Sequence, residues 1–128
     1  MYGFSTKLTE PFDVAISLVI EALKQEGFGV LTDIDVQATL KAKLGADTQA
    51  YCILGACNPP FAHKALLAEP EIGLLLPCNV VVRQLEDGKI GVGLMDPATV
   101  LQLVDNPEIE EVAKEIRERL MRVHDSLS

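Results

Sequence analysis

The sequence predicts an α+β domain: an antiparallel sheet of about five strands, in the order β-α-β-β-β-β-α with short helical insertions, and two main helices packed on the sheet. Three observations carry this. Two stretches, one after Pro11 and one after Pro107, repeat apolar residues at helical spacing. Between them, strand-like runs follow one another with only short helical pieces interposed, so strands and helices do not alternate as a doubly wound fold requires. Asp87-Gly88, set between two apolar runs, marks a hairpin and makes that pair of strands antiparallel.

Gly3 to Leu8 reads as the first strand, with Tyr2, Phe4 and Thr6 on one side by alternation. Thr9-Glu10-Pro11 opens a helix, because proline is preorganised for a first turn and Glu10 and Asp13 suit the positive end of the helix dipole. Phe12, Ile16, Val19 and Leu23 form its apolar stripe, widened by Ala15, Leu18 and Ala22, and Gly27 ends it in a left-handed cap. Phe28 to Ile34 follows as a strand. Asp35 caps a short helix from Val36, with Val36, Leu40 and Leu44 on one side and Gly45 as its stop. Tyr51 to Cys57 is apolar on both faces and reads as a central strand buried on both sides.

Asn58 sits at the cap of another short helix begun by Pro59-Pro60 and ended by Glu69-Pro70. Asn79 to Glu86 and Lys89 to Met95 are the hairpin strands. A two-residue turn at Asp87-Gly88 sets Glu86 against Lys89 as an ion pair, Asn79 against Asp96, Cys78 against Pro97, and Gly91 and Gly93 against Gln84 and Val82. Asp96-Pro97 starts a short helix and Asn106-Pro107 the last one. There Ile109, Val112, Ala113, Ile116, Leu120 and Val123 make an apolar stripe. Glu110–Lys114, Glu115–Arg119 and Glu118–Arg122 are four-apart ion pairs on what reads as a solvated face.

A chain of 128 residues fits one domain, 1–128, with a real core. The net charge of −8, with no Lys/Arg cluster, repels a phosphate backbone or an anionic bilayer, so neither nucleic acid nor membrane is the expected partner. No apolar run reaches the ~20 residues of a membrane helix, and the first residues lack a signal peptide's order, so the expected location is cytoplasmic. Three cysteines close no disulfide framework, and reduced thiols are expected. The mean hydropathy of +0.23 is high for so small a domain and points to apolar surface shared between subunits of a homodimer.

Ile53-Leu54-Gly55-Ala56-Cys57-Asn58-Pro59 and Gly73-Leu74-Leu75-Leu76-Pro77-Cys78-Asn79 resemble the domain of unknown function family 302, as do Gly27 to Val36 and Met95-Asp96-Pro97. The resemblance covers nearly the whole chain. It implies a fold like the TATA-binding-protein repeat, without implying DNA binding, and it implies no activity.

In an antiparallel meander the strand ending at Cys57 and the strand starting near Cys78 meet at one end, and the next strand returns Asp96 there. Cys57, Asn58, Cys78, Asn79 and Asp96 are therefore the candidate small-ligand rim. A parallel crossover would instead part Cys57 from Cys78. Cys57, His63 and Cys78 are the candidate metal ligands, His63 standing about one and a half turns into the helix, though no CxxC or HExxH spacing accompanies them. Cys57 just before a helix N-terminus is the candidate nucleophile of a thiol enzyme or redox protein, with only His63 or His124 available as a base. The plainer reading makes the cysteines small buried hydrophobes and Asn58, Asn79 and Asp96 helix or loop caps. No phosphate loop or catalytic triad is legible, and Gly91-x-Gly93 inside a strand is no dinucleotide fingerprint, so the cofactor, if there is one, is unknown. The residues as a whole point to a binding or interaction module, against the alternatives of a thiol enzyme and a purely structural homodimer.

Overall fold

The computed structural model describes residues 1–128. In chain order these form β1 (Gly3–Leu8), α1 (Phe12–Gln25), β2 (Gly29–Asp35), α2 (Val36–Leu44), β3 (Tyr51–Cys57), α3 (Pro59–Ala68), a 3₁₀ turn (Pro70–Leu75), β4 (Cys78–Gln84), β5 (Ile90–Met95), α4 (Pro97–Val100), a second 3₁₀ turn (Leu101–Leu103) and α5 (Pro107–Leu127). The sheet is antiparallel throughout, in the order β1-β5-β4-β3-β2. The α+β class, the five strands and the two main helices are as the sequence predicts.

One face of the sheet makes the core. Cys52, Leu54 and Ala56 of β3, Cys78, Val80 and Val82 of β4, and Ile90, Val92 and Leu94 of β5 are all buried there. Ala15, Val19 and Leu23 of α1 pack into the same core. So does the whole α5 stripe, Ile109, Val112, Ala113, Ile116, Leu120 and Val123. Each larger side chain of that stripe contributes about 1.5–3 kcal/mol relative to water exposure. Leu18, expected to widen the α1 stripe, is 39% exposed at its margin.

The opposite face is covered less. One row of partners crosses it as Ser5, Gly93, Val81, Ile53 and Ile34, and the next as Lys7, Gly91, Arg83 and Tyr51. Ile53 and Tyr51 are only half-buried, so β3 is not sealed on both sides as expected: the main helices lie on one face alone. The α2 helix is held by its caps, Asp35 Oδ1 accepting from the Ala38 N–H at 2.8 Å and Gly45 at φ +67°, but none of its residues is buried. Val36, Leu40 and Leu44 share a side without reaching the core.

The hairpin register differs by one residue from the expected one. Val80 faces Leu94, Val81 faces Gly93 and Arg83 faces Gly91, not the pairing of Gly93 with Val82 and Gly91 with Gln84. The cause is the turn. The Leu85 N–H donates to the Lys89 carbonyl at 2.8 Å around Glu86-Asp87-Gly88, with Gly88 at φ +83°. This three-residue loop ends in a glycine in the left-handed region, which adds one residue to the two-residue turn. The expected Glu86–Lys89 ion pair is absent, and Asp87 takes Lys7 at 3.5 Å instead.

Pro11 stands just outside α1, at φ −58° and ψ 154°, so the helix begins at Phe12. The four-apart pairs of α5 do not form either. Its arginines reach across the fold, Arg122 to the Glu26 carboxylate at 2.8 Å and Arg117 to the Asp96 carboxylate at 3.2 Å.

Candidate functional site

The meander sets β3 and β4 antiparallel with Ala56 against Cys78, and Gly29 of β2 against Cys57. The ends of these three strands, with α3, the first 3₁₀ turn and the middle of α5, wall a half-open cavity of about 250 Å³. Cys57, Asn58 and Cys78 line it. Phe28, Leu66, Leu76, Leu101, Val112 and Ile116 supply much of the rest of an apolar wall, and Asn58 is its only polar side chain apart from the two thiols.

Asn58 is the one polar residue buried in the chain, at 6% exposure. It occupies the N-cap of α3 but makes no side-chain cap bond. Its Nδ2 instead donates to the Glu26 carbonyl at the end of α1, at 3.2 Å. Arg119 Nη1 donates to the same oxygen at 3.1 Å, and the Arg119 guanidinium lies 5.1 Å from the centre of the Phe61 ring. The carbonyl end of α1 thus receives an arginine and an amide, which complement its negative pole. Gly27 makes room for this knot: at φ +85°, a Cβ there would stand 3.1 Å from Asn58 Nδ2.

The thiols are held neutral. Burial pushes Cys78 from the usual 9.0 up to about 12, with Cys57 nearby adding to the effect. Burial also raises Cys57, against the lowering expected of a helix N-terminus. Pro59 and Pro60 have no N–H to aim at that sulfur.

Asn79 and Asp96 stand elsewhere. Asn79 pairs with Gly55, which turns its exposed side chain to the open face, away from Cys78. Asp96 is a structural hub: its Oδ1 accepts from the Ala98 N–H at 3.0 Å, its carboxylate holds Arg117, and its own N–H donates to the Tyr2 carbonyl at 2.8 Å. His63 is exposed on α3. No three His, Cys, Asp or Glu side chains converge to hold a metal ion, so Cys57, His63 and Cys78 are not gathered into a ligand set. His124 lies far from the cavity, with Nε2 2.9 Å from the Ser5 carbonyl and Nδ1 3.0 Å from the Asp125 carboxylate.

Two other hollows are polar. One, of about 490 Å³, is lined in part by Asp13, Asp33, Asp35 and Cys52. The Cys52 thiol donates to Asp33 Oδ1 at 2.6 Å, and burial followed by that bond pushes Cys52 up to about 12. The other, of about 590 Å³, lies where α4 meets the start of α5, beside Asp105, Glu110 and Lys114.

Sequence reasoning read Gly27 only as a helix cap and Arg119 only as a partner of Glu115, missing their roles at Glu26 and Asn58, and it passed over the Cys52–Asp33 contact. Arg119 had a signal, since it falls three residues after Ile116 and seven after Val112, on the edge of the buried stripe.

An open-faced α+β domain with an apolar cavity at one end of its sheet is the class that fold and site define. The model of the family "Domain of unknown function DUF302" matches residues 4–127, and the chain belongs to that family. It is also similar to a solved structure, an uncharacterized conserved DUF302 protein from Bacillus stearothermophilus, at 32% identity and a TM-score of 0.90 over 100% of this chain and 99% of that one. No protein of curated function matches the chain.

Proposed function

We propose that this protein is a small-ligand binding module whose site is the cavity between Cys57, Asn58 and Cys78. The observation that carries the reading is the cavity's chemistry: about 250 Å³ walled by apolar side chains and closed by neutral thiols. A cavity of about 150 Å³ already accepts benzene, so there is room for a ring or short chain with substituents. A thiol-enzyme reading has less behind it, because the raised Cys57 lacks both a thiolate-stabilising environment and a base within reach. No helix is long and apolar enough to cross a membrane, and the three cysteines are free, which supports a cytoplasmic setting. The likeness to a TATA-binding-protein repeat belongs to the same proposal and brings no DNA partner, since the net charge is −8.

The test is a titration with toluene followed by amide NMR. Shifts confined to the ends of β3 and β4, α3 and Leu76-Pro77 support the reading; no saturable shift with toluene or with any other small neutral aromatic removes it.

A second reading accompanies the first: the open sheet face joins two copies of the chain. Its residues, paired in register from Ser5 and Lys7 across to Ile34, include Lys7 and Arg83 but no Asp or Glu, in a chain with 19 acids. Asp87 reaches this face from the hairpin tip but is paired with Lys7, so two acidic copies meet there with little carboxylate repulsion. Five strands of about six residues span roughly 24 by 20 Å. That is over half of the ~800 Å² each partner gives to a standard interface, and the exposed flank beside Ile34 extends it.

A further inference from the structure

Asn58 is more committed than a lining residue needs to be. Its Nδ2 is spent on the Glu26 carbonyl, which also fixes which end of the amide is nitrogen. Its Oδ1 accepts no hydrogen bond from the chain, yet it is not sealed off: the fully buried side-chain polar atoms without partners are Glu10 Oε2 and Arg119 Nε. A residue 6% exposed, lining a cavity, with an acceptor left open, is asking for a donor.

We infer that the cavity takes a neutral, mostly apolar molecule bearing one hydrogen-bond donor, such as a small phenol or alcohol, and that Asn58 Oδ1 orients it. This rests on the reading of the cavity as a ligand site. An anion finds no more than one backbone donor there. Pro59 and Pro60 supply no N–H, the Ala62 N–H is taken by the Asn58 carbonyl at 2.9 Å, and Phe61 alone keeps a free first-turn donor. No basic side chain lines the wall, and Arg119 is held outside it on Glu26 and Phe61. A cation finds no carboxylate in the wall, and the thiols stay protonated. The remaining choice is between a pure hydrocarbon and a neutral donor, and an accessible amide oxygen without a chain partner in an otherwise apolar wall favours the donor, because a ligand that displaces water from it without replacing the hydrogen bond binds at a cost.

Three probes decide it on the intact protein: toluene, cresol and anisole, each titrated calorimetrically and by NMR, with benzoate as the anionic control. Cresol and anisole are isomers, so they differ in the donor and hardly in volume. An apolar hole without an acceptor prefers anisole, which buries no hydroxyl. The inference expects cresol to bind about fivefold tighter than anisole or better, to move the Asn58 side-chain amide resonance as anisole does not, and benzoate to stay unbound. Toluene and anisole binding with cresol no tighter, or benzoate competing, overturns the donor class while leaving the cavity reading intact. Failure of all three neutral probes overturns both.

Discussion

The Asn58 side-chain nitrogen lies 3.2 Å from the Glu26 carbonyl oxygen, joining the start of α3 to the end of α1 across 32 residues of sequence. That bond fixes the wall of the cavity, and Gly27 leaves room for it, since a Cβ there would crowd Asn58 Nδ2 at 3.1 Å. Gly27→Ala both forces a Cβ into the left-handed region and places it 3.1 Å from Asn58 Nδ2. A loss of about 1–2 kcal/mol is expected from the backbone alone. Urea unfolding of the two proteins measures it, and equal midpoints would contradict the account of the knot.

The thiols give a pH-dependent prediction. Cys78 is harder to ionise in the fold than in the open chain, rising from 9.0 to about 12 mainly through burial. Its neutral form therefore stabilises the fold fully below the free value, and that contribution fades as pH climbs from 9.0 toward about 12. Cys52 acts in the same direction and over the same window. Stability against urea should fall across that range, less steeply in Cys78→Ala. At neutral pH, Cys52 and Cys78 should react with a thiol reagent only as the fold opens, and half-buried Cys57 more slowly than a free thiol. Labelling of Cys57 in native protein at or above the free-thiol rate would reverse the assignment and restore a thiol enzyme.

Much of the fold was legible because it depends on periodicity. The six buried residues of α5 are those of its apolar stripe, and Asp35, Gly27 and Gly45 punctuate the helices where local chemistry says they should. The hairpin register was not legible, since Asp87-Gly88 suits a two-residue turn as well as the last two positions of a three-residue loop. That one residue parts Asn79 from Asp96, while strand alternation next to buried Cys78 and Val80 puts Asn79 on the open face in either register. Cys57, Asn58 and Cys78 could be brought together from strand order alone. Asp96 could not be separated from them, because its partner Arg117 lies 21 residues away on α5 and nothing in the local spacing links the two. The Asn58–Glu26 and Arg119–Glu26 bonds span long stretches of chain and leave no local mark.

The open face predicts an oligomeric state. Sedimentation equilibrium at micromolar concentration should give twice the 13.9 kDa chain mass. Val81→Glu, which adds a carboxylate at the middle of the face without touching the core, should return the mass to that of one chain. A wild-type monomer removes the second reading and leaves the cavity untouched.

The central claim is that an accessible apolar cavity exists between Cys57, Asn58 and Cys78. Diffraction from a crystal pressurised with xenon tests it most directly, because xenon settles in dry apolar space and marks the spot. The account predicts a xenon peak within the wall formed by Phe28, Leu66, Cys78 and Ile116. A cavity without xenon, collapsed or filled by an ordered chain of water, would contradict it.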